Sequence, residues 1–219
     1  MLFALGQPIV LLGLLLGYLA GMFAQYWTHR LILGGRRGLR GVTKPQLWLD
    51  PYSAVGALLG GMGWPPGQEL DRRRVRLPVI LLLASLGVEA VLAAIGLAAF
   101  RLAGGSFLSL DLISTVNVIH GNGLLGLLPQ LQRLTLGFAV ESLACGVICL
   151  VPIPPLPLGV WLWSALPRTA GARRFAYHLL EENWGILIVL VLLVIPLGGQ
   201  EPLLLSLVGD VVDPILHAL

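Results

Sequence analysis

Charged side chains are scarce in this chain. Asp, Glu, Lys and Arg make up 11% of its 219 residues, against about a quarter in an ordinary soluble domain, which excludes a fold wrapped in water on every side. Only two cysteines are present, too few for a disulfide framework, and two thiols one turn apart in an apolar stretch say little about redox compartment. The basic residues are not interleaved with aromatic ones, so no nucleic-acid partner is expected. The opening run, Met1 to about Gln25, lacks the basic start and small-residue cleavage site of a signal peptide. It is also longer than such a region, and is expected to remain as the first span. No internal repeat and no disordered linker is found.

What the chain does have is long apolar runs: 57% of its residues are hydrophobic and its mean hydropathy is +0.88. Twelve of the fourteen lysines and arginines fall in two stretches, 30 to 76 and 168 to 174, each bounded by apolar runs. Basic residues beside spans stay preferentially on the cytoplasmic side. The expectation is an all-α polytopic membrane protein with about four transmembrane helices and one short re-entrant or interfacial segment. The basic loops 34–76 and 167–175 then face the cytoplasm and both termini lie outside, with the bacterial cytoplasmic membrane as the expected location. Residues 1–199 read as one transmembrane domain and 200–219 as a C-terminal interfacial helix.

The first span is expected from about Leu5 to Leu33. Tyr52 to Trp64 is apolar and glycine-rich but only about 13 residues long, too short to cross as a helix. It should re-enter or lie in the interface, its backbone satisfied by packing against the spans, with Trp64, Pro65 and Pro66 ending it near the headgroups. Gly56, Gly60, Gly61 and Gly63 allow close approach there. The second span is expected from Leu77 to Phe100 and the third from Leu134 to Val151, with an outer segment between them carrying Asp111, His120 and the turn-like Gly121-Asn122-Gly123. Prolines at 152, 154, 155 and 157 break the chain after the third span, since each removes a helix donor. A short helix, Val160 to Leu166, is expected next, and a fourth span from Ala176 to Leu197. In the tail from Pro202, Ser206, Asp210, Asp213 and His217 form one polar helix stripe.

Three motifs in order carry a resemblance. Leu49 to Trp64 reads LDPYSAVGALLGGMGW, Ala84 to Glu89 reads ASLGVE, and Val151 to Gly159 reads VPIPPLPLG. Together they resemble the site-2 proteases, intramembrane zinc metalloproteases with an Asp-Pro segment ending in Gly-Trp, an intramembrane Ala-Gly-Pro-x-x-Asn and a Leu-Pro-Ile-Pro-Pro-Leu-Asp-Gly motif. The match covers roughly residues 15 to 167 and implies that family's helical core.

The resemblance also implies what has been lost. The family's reaction needs two histidines one turn apart on zinc, with a glutamate beside the first as general base. Counted back from Gly34-Gly35, that register falls on Met22-Phe23-Ala24-Gln25-Tyr26. The third-ligand aspartate is replaced by Pro157, the intramembrane Asn by Glu89, and the Asn before the proline motif by Cys149. His29 lies nearby, but positions 25 and 33 are Gln25 and Leu33, so shifting the register restores nothing. Other donors are His178, Cys145, Cys149, Glu141, Glu181 and Glu182. The two cysteines, one turn apart, could supply thiolates or simply pack as small residues. No metal site and no cofactor are expected, zinc entering only with a rearranged site.

Glu89 and Glu141 stand out because an ionisable residue inside a span faces protein or water. Each could contact a partner helix, a proton or a solute, or hydrogen-bond within the bundle. Asp50 is expected to stabilise its loop's turn, His120 to cap an outer turn, and His178, Glu181 and Glu182 to sit at the start of the fourth helix, where carboxylates suit the helix dipole. The binding candidates are therefore Glu89, Glu141, Cys149, Asp50 and Trp64, and no catalytic residue is assigned. The expected function is a catalytically inactive site-2-protease-like protein that binds another transmembrane segment, such as a membrane-bound anti-sigma factor, or subunits of a membrane complex. Alternatives are an active protease with a rearranged metal site, with Glu89 or Glu141 as base, and a small solute or proton pathway.

Overall fold

The computed structural model describes residues 1–32, 49–64, 76–106, 113–165, 169–180, 183–196 and 201–218. Its helices are α1 (Pro8–Ile32), α2 (Pro51–Gly60), α3 (Arg76–Leu102), α4 (Thr115–His120), α5 (Gln130–Cys149), α6 (Pro157–Ala165), α7 (Ala170–Leu180), α8 (Trp184–Val194) and α9 (Leu203–His217). Short 3-10 turns cover Leu2–Gly6 and Gly123–Leu127, and no strand occurs among the described residues. Gly34-Gly35, the basic residues from Arg36 to Lys44 and from Arg72 to Arg74, Pro65-Pro66, Asp111, Arg168, Glu181-Glu182 and Gly198-Gly199 lie outside them.

Three helices, α1, α3 and α5, are long and apolar enough to cross a membrane, and the chain is accordingly a membrane protein. They form a bundle in which α5 packs on both α1 and α3. On α1 the inward residues are Val10, Gly13, Leu14, Gly17, Tyr18, Gly21, Met22, Gln25 and His29, a spacing of three and four that keeps one face on the bundle. Leu12, Leu15, Leu16 and Phe23 look outward. Gly13 brings α1 onto α5 backbone to backbone: a methyl group there would stand 2.2 Å from the Leu134 carbonyl oxygen. Between apolar helices in lipid there is little hydrophobic gain, so small residues that permit such approach supply the packing.

The short glycine-rich segment is a hairpin. Asp50 caps α2, its Oδ1 accepting from the Tyr52 N–H at 3.1 Å, and Pro51 follows at the first helical position, where its missing donor and fixed φ suit a helix start. Ten residues later Gly61, at φ 84°, ends the helix, a conformation open to glycine at no steric cost. The chain then returns, and Trp64 comes back to the first turn of α2. There Ser53 Oγ donates to the Trp64 carbonyl at 2.7 Å and accepts from the Trp64 N–H at 2.9 Å. One side chain thus satisfies both backbone groups of Trp64 in the returning chain. Trp64 is fully buried, its ring packed on Gly56. At the hairpin tip the Met1 amine donates to the carbonyls of Ala57 and Leu58 at 2.9 and 3.1 Å, placing a donor where a helix end leaves acceptors open. Burial pushes that amine down to about 6, against the opposing pull of Glu141.

The fourth span expected from Ala176 to Leu197 is instead two helices of 11 residues, α7 and α8. Asn183 stands between them in the left-handed region at φ 60°, so the helical ladder cannot run through it. At 1.5 Å per residue α8 covers about 16 Å, about half of a hydrocarbon layer. It packs against α2, α7 and α9. Helix α9 turns Leu204, Leu205, Val208, Val212 and Leu216 into the common core and leaves a second apolar stripe, Leu203, Leu207, Val211 and Ile215, exposed. Of its polar stripe, Ser206, Asp210 and His217 are exposed, whereas Asp213 Oδ1 accepts from the Thr115 N–H at 2.7 Å and holds the start of α4.

Candidate functional site

The polar side chains of the bundle gather where α1, α3 and α5 meet. Along α1, positions 17, 21, 25 and 29 follow one another at one-turn intervals and all face inward. At Gly17 the neighbour is Glu141 of α5, whose Cβ would stand 3.0 Å from a methyl on that glycine. At Gly21 it is Glu89 of α3, whose Oε1 would stand 2.7 Å from such a methyl. Gln25 then donates from Nε2 to Glu89 Oε1. One turn further, the Ser85 hydroxyl donates to the Leu81 carbonyl at 3.0 Å and accepts from His29 Nε2 at 2.8 Å.

Burial here is nearly complete, with Gln25 and Glu141 at 0% exposure and Glu89 at 2%. Each leaves one oxygen without a hydrogen-bond partner: Gln25 Oε1, Glu89 Oε2 and Glu141 Oε2. Buried polar atoms are ordinarily hydrogen-bonded, so three open oxygens along one helix seam call for a physical account. The other Glu141 oxygen accepts from the Cys145 thiol at 3.5 Å. Beside it the Tyr18 hydroxyl meets Ser53 Oγ at 3.1 Å; because the Ser53 proton is already committed to Trp64, the phenol is the donor. The α2 hairpin is thereby tied to the bundle at the level of Glu141.

The sequence candidates divide clearly against this geometry. Glu89 and Glu141 face inward and belong to one site. Cys149 and Cys145 are free and buried on α5. Asp50 and Trp64 belong to the α2 hairpin, Asp50 as its cap and Trp64 against Gly56. His29 and Gln25, considered only as failed ligands, are members of the track. Of the three residues at the family's zinc-binding register, Met22 is buried in the core, Phe23 is 39% exposed on the outer face and Tyr26 is hydrogen-bonded to Arg30. Pro157 opens α6 and is buried. His178 is exposed on α7, and His120 packs its ring on Phe3 with centroids 5.0 Å apart. Burial lowers the His120 pKa, opposed by Glu201.

These residues do not fit a zinc centre. The register positions offer a thioether, an outward ring and a phenol held by Arg30, and among the described residues no three His, Cys, Asp or Glu side chains converge to hold a metal ion. What reading the sequence missed is the Gly13, Gly17 and Gly21 series, whose spacing of four was visible in GLLLGYLAG. That series is the signal for where the carboxyl groups of two other helices would dock. Outside the bundle, α2 and α8 enclose an open cleft of about 250 Å³ lined by Tyr52, Asn183, Trp184, Ile186, Leu187 and Leu190. No family model, no curated protein and no solved structure matches the chain.

Proposed function

We propose that this chain is a catalytically inactive relative of the site-2 proteases that holds another transmembrane segment, or the subunits of a membrane complex, against its surface. The observation that carries the reading is the fate of the ligand positions. Met22 and Pro157 are spent on packing, Phe23 points out of the bundle and Tyr26 is tied to Arg30. The segments that carry the resemblance lie in α1, the α2 hairpin, α3 and the proline turn after α5. A surface suited to a partner helix is the cleft between α2 and α8, and Val55, Leu58 and Leu59 of α2 are exposed as well. Its walls are apolar, and Tyr52 and Asn183 supply polar groups at which a passing helix could be registered.

Two measurements test the two halves of this reading. Elemental analysis of tag-free, detergent-purified protein is expected to give a zinc ratio near zero, and a ratio near one would sink the inactive-protease assignment. Photo-crosslinkers at Val55, Leu59 and Leu187, examined in native membranes, should all capture the same protein; capture of lipid alone at the three positions removes the scaffold role.

A further inference from the structure

The side chains between α1, α3 and α5 form a track of polar groups placed at successive turns of α1. Glu141 lies on Gly17, Glu89 lies on Gly21 and is bonded to Gln25, and Ser85 is bonded to His29. From residue 17 to residue 29 is about 18 Å of helix, more than half of a hydrocarbon layer of roughly 30 Å. At one end His29 retains 7% exposure near the end of α1. At the other, Glu141 stands near the Met1 amine and the backbone of Gly63. Other titratable groups facing the track are Tyr18 from α1 and Cys145 and Cys149 from α5.

The chemistry of the track is one-sided. Its unpartnered atoms, Gln25 Oε1, Glu89 Oε2 and Glu141 Oε2, are all oxygens, which a water molecule or a carboxyl proton satisfies. Glycine at 21 leaves room on the α1 side for the Glu89 carboxyl, which a Cβ there would crowd, and glycine at 17 leaves room for the Glu141 stem and the Phe138 carbonyl. Chains of acidic side chains and histidine inside a membrane bundle are the usual means of moving protons through it.

We propose that this track carries protons through the bundle, with Glu89 and Glu141 as the two stations that bind and release them. One glutamic acid gives its proton to an intervening water as that water gives one to the other glutamate. The donor becomes a carboxylate, the acceptor becomes an acid, and no electron moves. Gln25 holds the Glu89 carboxyl toward α1, and the Ser85 hydroxyl and His29 imidazole relay protons to the His29 end. Solvent water is the source on one side and the sink on the other.

The test uses full-length purified protein in liposomes containing a trapped pH-sensitive dye, with an imposed potassium potential driving proton entry. Wild-type protein is expected to raise proton flux about tenfold over protein-free vesicles, and Glu89→Gln and Glu141→Gln to return it to the protein-free level. Both variants keep the shape of the carboxyl group, and their helicity and thermal midpoint are measured alongside. Gln25→Met, which leaves both acids in place, is expected to slow the flux several-fold and serves if a glutamine variant fails to fold. Wild-type flux equal to that of empty vesicles, or full flux in any of the three variants, overturns the proposal. No partner protein enters the assay, so its failure is separate from any failure of the scaffold reading.

Discussion

Helices α5 and α8 contrast in a way that sequence hydrophobicity alone would get backwards. Helix α8, WGILIVLVLLV, contains no charged residue, yet Leu187 is 52% exposed and Ile188 and Val194 are exposed beside it. Helix α5 carries Gln132, Thr135, Glu141 and Ser142 among its 13 buried residues out of 20 and stands at the centre of the bundle. In a bilayer an apolar side chain loses little by facing outward, so close backbone contact and polar groups needing partners decide what is inside. The α1–α3–α5 bundle follows that rule. The flank of α2, α8 and α9 is instead held by apolar packing around Met62, Leu193, Leu205 and Val208 together with end caps.

The sharpest way to break the contrast is to fill the glycine contact of the bundle. Gly13→Leu places a side chain where even a methyl would stand 2.2 Å from the Leu134 carbonyl oxygen. Backbone cannot yield as a side-chain tip can, so the expected loss is about 3 kcal/mol or more, read as a fall in thermal midpoint or in recovery of folded protein. Gly87→Ala is the control on α3, where nothing lies within 4 Å of the added methyl. Its stability should be unchanged or up to about 1 kcal/mol higher. Equal effects at the two positions would mean that glycine acts here through helix propensity and not through contact.

A somewhat smaller loss is expected at the joint between bundle and flank. Ser53→Ala removes the group that serves the Trp64 N–H, the Trp64 carbonyl and the Tyr18 hydroxyl. Buried polar groups left unsatisfied in this way cost about 1–3 kcal/mol. Hydrogen exchange at the Trp64 amide is the direct measurement, and protection that survives the substitution would show the hairpin to be held by apolar contact alone.

Much of this architecture is legible in the sequence. The three long spans come within about four residues of the observed ends, and the short length and Asp-Pro start of α2 anticipate both its size and its cap. The inward placement of Glu89 and Glu141 follows from the cost of exposing an acid to lipid. Hydropathy cannot say which helices touch, because every apolar face in this chain is acceptable to lipid. The Gln25–Glu89 and His29–Ser85 pairs join residues 64 and 56 positions apart, and no local period reports such a meeting. The break at Asn183 was hidden for a related reason: it follows Glu181 and Glu182, which read as the charged start of the fourth helix, and its left-handed φ is a choice made by one residue that no local period reports.

Within the flank, caps rather than contacts set the smaller effects. Asp213 reaches across 98 residues to the Thr115 N–H, so Asp213→Ala is expected to cost about 1 kcal/mol, the usual worth of a helix N-terminal acceptor. Asp213→Asn, which keeps an acceptor oxygen, should recover most of it. An alanine variant as stable as the parent would leave α9 held to α4 by Val116 and its apolar neighbours alone.

The smallest expected effect lies at His120, packed on Phe3 at the end of α4. Its pKa is lowered in the folded chain, by burial first and against the pull of Glu201. A histidine harder to protonate when folded than when unfolded stabilises the fold fully above its unfolded value of about 6.5 and loses that contribution as the pH falls through the folded one. The thermal midpoint should therefore drop slightly on going from neutral to mildly acidic pH, and His120→Phe should flatten that slope while leaving the neutral value nearly unchanged. Because His120 is partly open to solvent, the change belongs among surface effects of a few tenths of a kcal/mol. A slope unaltered by the substitution would show that the acid sensitivity does not arise at His120.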